Sequence, residues 1–150
     1  MTWKVAKRAL DFLWEHSIDS GEVNVGFYGG EPLLEFPLIQ KVVGYSKYLF
    51  WGKQLTFSIT TNGTLLNPEI ILFFQEHNFS LGISLDGPKE INDRNRVFAN
   101  GKGTFDSVLH NINLLSVNRV KPPAFRQAVL TPVVIIKAWD IEKPRTQYMI

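Results

Sequence analysis

Three short apolar runs constrain this 150-residue chain more than anything else in it. Each closes in a polar, glycine-bearing turn, and each is followed by a helix-spaced stretch. Val23 to Tyr28 ends in Gly29-Gly30-Glu31-Pro32. Leu55 to Ile59 ends in Thr60-Thr61-Asn62-Gly63. Phe79 to Leu85 runs into Asp86-Gly87-Pro88. Runs of this length read as strands, the first as a buried one. Trp3 to His16 carries Val5, Ala6, Ala9, Leu10 and Leu13 on an amphipathic stripe. A second helix takes in Leu38 to Leu49 and ends near Gly52. Asn67-Pro68-Glu69 opens a third with a good cap, a proline at the first helical position and an acid at the positive dipole end. Thr104 caps a fourth that carries Phe105, Val108, Leu109, Ile112 and Leu115. Phe125 to Ile136 reads as a fourth strand, and the tail from Lys137 is weakly patterned. Helices between successive strands imply right-handed crossovers and a parallel sheet.

In a parallel α/β sheet or barrel, ligands bind at the carboxyl ends of the strands. The three turns therefore bring Gly, Glu, Thr, Asn, Ser and Asp to one mouth. Two adjacent glycines let a ligand approach the backbone, because no Cβ intervenes. Glu31 beside them adds a negative charge, and the set suits a ligand carrying an ammonium group. Each residue also has an ordinary reading. Glu31 suits a helix cap, Arg96 suits a surface pair with Asp93, Ser84 suits a satisfied strand hydroxyl, and Asn-Gly and Asp-Gly-Pro are common turn chemistry.

Composition narrows the partners. A net charge of +2 is too small to argue for nucleic acid or an acidic membrane. No apolar run approaches the ~20 residues of a membrane span. The chain has 0 cysteines, so no disulfide framework points to secretion, and the expected compartment is the cytoplasm. A phosphate-binding reading of Gly29-Gly30 is weak. Glu31 would repel the anion, and no helix-opening Gly-Lys-Ser/Thr follows.

The ordered motifs Gly29-Gly30-Glu31-Pro32-Leu33-Leu34, Thr60-Thr61-Asn62-Gly63-Thr64-Leu65-Leu66, Ser84-Leu85-Asp86-Gly87-Pro88, Asp93-Arg94-Asn95-Arg96 and Gly103-Thr104-Phe105-Asp106 resemble the radical S-adenosylmethionine enzymes. The likeness is to the peptide and sulfatase maturases of the SPASM type, which carry an extra cysteine-rich domain. It runs from about Val5 to Leu115 and fades beyond Pro122.

The resemblance implies an α/β fold: a partial (β/α)6 barrel with parallel strands, missing its first strand and its last βα units. Residues 1–121 would be the partial core domain, and 122–150 a fourth strand and tail. It implies S-adenosylmethionine as cofactor, chelated through its amino acid end to one iron of a [4Fe–4S] cluster. Gly29, Gly30 and Glu31 would receive the ammonium group. Ser84 and Arg96 would hold the methionine carboxylate, and Asn62 would sit near cofactor or substrate. Asp86 would fix the turn before Pro88 rather than touch ligand.

In the family, a 5′-deoxyadenosyl radical modifies a peptide or protein substrate. The family's cluster hangs on a CxxxCxxC loop, and this chain holds no cysteine; Asn92 stands where many members carry histidine. His16, His77 and His110 lie too far apart in sequence to replace the thiolates. The expectation is an internal piece of such an enzyme, inactive alone and with weakened cofactor binding. Its barrel-facing apolar residues would be uncovered and its two sheet edges open to a complementing chain. The alternative is a non-catalytic module that binds S-adenosylmethionine or peptide.

Overall fold

Helix α1 (Trp3–Glu15) turns its small and apolar positions Ala6 and Leu10 inward, with Trp3 and Leu13 beside them. This is the three-to-four residue spacing that lines one helix face. It packs on α2 (Phe36–Leu49), where Ile39, Val42, Val43 and Ser46 are buried. Trp3 meets Tyr45 edge-on at 5.7 Å, and the Tyr45 hydroxyl donates to Asp11 Oδ1 at 2.6 Å. Between the two helices comes β1 (Glu22–Phe27), and a short 3-10 turn, Pro32–Glu35, leads into α2. At the opposite end, Lys53 Nζ donates to the carbonyls of Ser17, Ile18 and Ser20 at 2.5–3.0 Å. One ammonium thereby ties the turn before β1 to the turn before β2 (Gln54–Thr61).

The remaining elements are α3 (Pro68–Glu76), β3 (Phe79–Ser84), α4 (Lys89–Asn95), α5 (Phe105–Val117) and β4 (Ala124–Arg126). The computed structural model describes residues 1–117 and 124–126. The four strands form one parallel sheet in the order β1-β2-β3-β4, which does not close among the described residues. Asn67 caps α3 as its sequence predicts, its side chain accepting the Ile70 N–H at 3.0 Å. The expected fourth strand begins within the described residues at Ala124–Arg126. Its continuation to Ile136, and the tail from Lys137, lie outside them.

Burial alternates along β1 and β2, and here the structure corrects the sequence reading. The run from Val23 is not buried on both sides: Val23 and Val25 are buried, whereas Asn24 and Gly26 are exposed. Phe57, Ile59, Phe79, Leu81 and Ile83 continue the inner, helix-covered layer, with Phe79 stacked on Phe57 and Phe74 at 5.2 and 4.7 Å. The other face carries Asn24, Gly26, Thr56, Ser58, Thr60, Ser80, Gly82 and Ser84. These side chains are small and mostly polar, and some bond to one another. Asn24 Nδ2 donates to Thr56 Oγ1, and Ser58 Oγ donates to Asn24 Oδ1, both at 3.0 Å.

The face expected to leave apolar residues bare is therefore polar, Tyr28 excepted. The uncovered apolar side chains lie on the helical layer and its turns, at Val5, Phe12, Ile18, Tyr48 and Trp51. Two elements escape the sequence reading, the 3-10 turn and α4.

Candidate functional site

The first three strands end side by side. Phe27 pairs with Ile59, and Thr61 with Ile83. Continued past the last paired residues, that register sets Gly30 level with Asn62, and Asn62 level with Ser84. Gly29, Gly30, Glu31, Asn62 and Ser84 thus come from adjacent strand ends, whereas Arg96 follows α4.

At the first end, Gly29 has φ +155°, a conformation that favours glycine. Gly30 has no such need, and a Cβ on either glycine would meet nothing within 4 Å. The fold therefore leaves open space in front of both. Glu31 caps the 3-10 turn, its Oε1 accepting the Leu33 N–H at 3.1 Å. The same oxygen accepts from Thr61 Oγ1 at 2.6 Å, and Oε2 accepts the Asn62 N–H at 2.7 Å. The capping alternative is thus realised, and the carboxylate also clasps the end of β2.

At the second end, Asn62 Oδ1 accepts from the Thr64 N–H at 2.9 Å and from Thr64 Oγ1 at 2.7 Å, closing a side-chain turn. Gly63 has φ +77°, and a Cβ there would crowd Ile83 and Val108 at 3.2 Å. Asn111 Nδ2 donates to the Gly63 and Thr64 carbonyls at 2.9 and 3.3 Å, fixing the loop from α5.

At the third end, Ser84 closes β3, half-buried, and its hydroxyl has no hydrogen-bond partner among the described residues. Asp86 follows, its side chain 4% exposed, and accepts on Oδ1 from Arg96 Nη2 at 2.9 Å. Arg96 therefore does not pair with Asp93. Its Nε is buried without an acceptor among the described residues. Asp93 Oδ1 instead accepts the Phe105 N–H that opens α5 and a hydrogen from Asn92 Nδ2, both at 3.0 Å. The Asp93 carboxylate caps α5, a role that the sequence assigned to Thr104. The Thr104 hydroxyl donates to the Arg96 carbonyl at 3.1 Å.

Asn92, 0% exposed, is the hub of this end. Its Oδ1 accepts the Asp86 N–H at 3.3 Å, and its Nδ2 reaches Thr104 Oγ1 at 3.2 Å as well as Asp93. Sequence reasoning put the Thr60-Thr61-Asn62-Gly63 turn at this mouth and noted Asn92, but not the bonds from Thr61 to Glu31 and from Asn92 to Asp86.

Below the strand ends, the polar face forms a shallow trough of about 240 Å³ lined by Gly26, Tyr28, Ser58, Thr60, Ser80 and Gly82 among others. Among the described residues, no group of three or more His, Cys, Asp or Glu side chains could hold a metal ion. The histidines lie apart. His16 stacks on Phe12 at 3.9 Å, and His77 sits against Phe73 at 4.4 Å. No helix among the described residues is long and apolar enough to cross a membrane.

The donor set fits one half of the cofactor system implied by the resemblance and not the other. Open space over Gly29 and Gly30, with a Ser84 hydroxyl and an Arg96 Nε that have no partner among the described residues, suits an amino acid moiety. An iron–sulfur cluster needs thiolates, and these 150 residues supply none.

Known proteins place these features. The chain is 37% identical over 116 residues to the cysteine-type anaerobic sulfatase-maturating enzyme of Clostridium novyi, covering 75% of this chain and 31% of that protein. It is similar to a solved structure of native anSMEcpe with bound AdoMet, with TM-score 0.77 and 27% identity over 89% of this chain and 38% of that one. A further structure of anSMEcpe, with bound AdoMet and Cp18Cys peptide, gives TM-score 0.76 at 27% identity, over 87% of this chain and 38% of that one. The chain thus spans about a third of the length of these relatives. The Radical SAM superfamily matches residues 2–141, and the chain belongs to that superfamily.

Proposed function

We propose that this chain forms one wall of an S-adenosylmethionine site in a peptide- or protein-modifying enzyme of the maturase type. The observation that carries the reading is open space over Gly29 and Gly30, with a Ser84 hydroxyl and, after α4, an Arg96 Nε that have no partner among the described residues. The carbonyls of Gly29 and Gly30 and the charge of Glu31 receive the ammonium group. Ser84 and Arg96 hold the methionine carboxylate, to which a guanidinium fork is well matched. Asn62 sits at the rim. The polar trough beneath is the substrate side, where small hydroxyls suit the backbone of a peptide.

When bound in the family's enzymes, the cofactor supplies radical chemistry and the protein positions it. Residues 1–121 are the proposed core segment. With 0 cysteines, these residues do not hold the cluster, so the chain alone binds the cofactor weakly and does not cleave it. In this reading a complementing chain supplies the thiolates and pairs with the open sheet edge. The cytoplasm is the proposed compartment, in keeping with the absence of cysteine. That same absence favours the second reading, a non-catalytic module that binds S-adenosylmethionine or peptide.

Calorimetry with S-adenosylmethionine tests the site. Gly30→Ala should leave the melting temperature nearly unchanged, since its Cβ meets nothing in the fold, yet weaken binding. Unchanged affinity would remove the site. Anaerobic reconstitution with iron and sulfide should yield no 5′-deoxyadenosine, and clear product formation would refute the inactivity of the chain alone.

A further inference from the structure

We infer that Thr61 is a positioning residue that sets which oxygen of Glu31 faces the ligand. This deepens the proposed S-adenosylmethionine site and rests on it. A carboxylate offers about four acceptor directions. Glu31 Oε1 takes two donors, the Leu33 N–H at 3.1 Å and Thr61 Oγ1 at 2.6 Å. Oε2 takes one, the Asn62 N–H at 2.7 Å. The remaining acceptor direction is therefore on Oε2, on the Asn62 side.

Thr61 is well placed to enforce this. It is 2% exposed, so it does not itself reach a ligand. Its hydroxyl accepts the Gly63 N–H at 3.1 Å, which orients its own hydrogen toward Glu31. Without that hydroxyl, Oε1 keeps only the longer bond from the Leu33 N–H at 3.1 Å, and the carboxylate is held more loosely, by one backbone N–H on each oxygen. Oε1 then has an acceptor direction to spare, and the ammonium group meets a carboxylate whose two oxygens are equally occupied. The same clasp joins the β1 end to the β2 end, so the two walls of the site move as one.

The test uses the full chain and two probes, S-adenosylmethionine and 5′-methylthioadenosine, which lacks the amino acid end. Thr61→Val should weaken S-adenosylmethionine about tenfold, the scale of one hydrogen bond to a charged group. It should leave 5′-methylthioadenosine unaffected and the far-UV circular dichroism unchanged. Thr61→Ser, which keeps the hydroxyl, should restore affinity to within about twofold of the unsubstituted chain. Unchanged affinity in Thr61→Val, or equal loss of both probes, overturns the inference.

Failure of the unsubstituted chain to bind S-adenosylmethionine would instead end the proposed function. The clasp would then be judged by hydrogen exchange at the Asn62 amide. Faster exchange in Thr61→Val upholds the clasp, and unchanged exchange overturns it.

Discussion

Arg96 Nη2 donates to Asp86 Oδ1 at 2.9 Å, with the carboxylate 4% and the guanidinium 26% exposed. Removing the cation takes the charge partner from a buried anion, which costs more than losing a surface pair. Arg96→Ala should lower stability by about 3 kcal/mol. Asp86→Asn, which keeps an acceptor at the same place, should cost about 1 kcal/mol. Urea unfolding of both variants checks the order; equal, small losses would mean that the pair is not closed in solution.

Gly103 is explained by Asp93 rather than by turn conformation. A Cβ at Gly103 would overlap the Asp93 carboxyl group that caps α5. Gly103→Ala should cost about 2–3 kcal/mol, by displacing the cap and crowding its place. Asp93→Ala removes the obstacle along with the cap, so the double variant should lose less than the two single losses combined. Additive losses would show that the two residues do not share this contact.

Ser46 sits inside α2, 0% exposed, and its hydroxyl has no hydrogen-bond partner among the described residues. Ser46→Ala removes an unsatisfied buried group and improves helix propensity. It should stabilise the chain by about 1 kcal/mol, raising the melting temperature by about 3 °C. A lower melting temperature would mean that the hydroxyl has found an acceptor.

Asp11 is held below its ordinary value of 3.8, first by the Tyr45 hydroxyl and then by Lys7. Lys7 is held above its ordinary 10.5, by Tyr45 first and Asp11 second. A depressed carboxylate contributes stability above its unfolded value, and this is lost as pH falls through the folded one. A raised ammonium contributes below its unfolded value, and this is lost as pH rises through the folded one. Tyr45→Phe should therefore melt lower than the unsubstituted chain at neutral pH. The gap should narrow as pH falls below 3.8 and again as it rises above 10.5. Thermal melts across that range check it, and a gap independent of pH would assign the loss to packing alone.

The strand ends were legible because turn chemistry is local. Gly29-Gly30, Asn62-Gly63 and Asp86-Gly87-Pro88 announce themselves within a few residues. The face of the sheet was misread because an apolar run hides its alternation when glycine fills an exposed slot, as Gly26 does between Val25 and Phe27. Helix α4 stayed hidden because Lys89-Glu90-Ile91-Asn92-Asp93-Arg94-Asn95 holds one apolar residue and so shows no stripe. Without α4 there was no means to see Arg96 turning back onto Asp86, or Asn92 beneath both. The clasp between Thr61 and Glu31 spans 30 positions, a separation over which spacing carries no information.

The polar face of the sheet has a thermodynamic consequence. Among the described residues this face offers little apolar surface, so a strand that covered it would draw on hydrogen bonds and little new apolar burial. Heat capacity follows apolar area. Closure over Asn24, Thr56 and Ser58 would therefore leave a calorimetric trace unlike that of an ordinary hydrophobic interface: a favourable enthalpy, with a heat-capacity change close to zero.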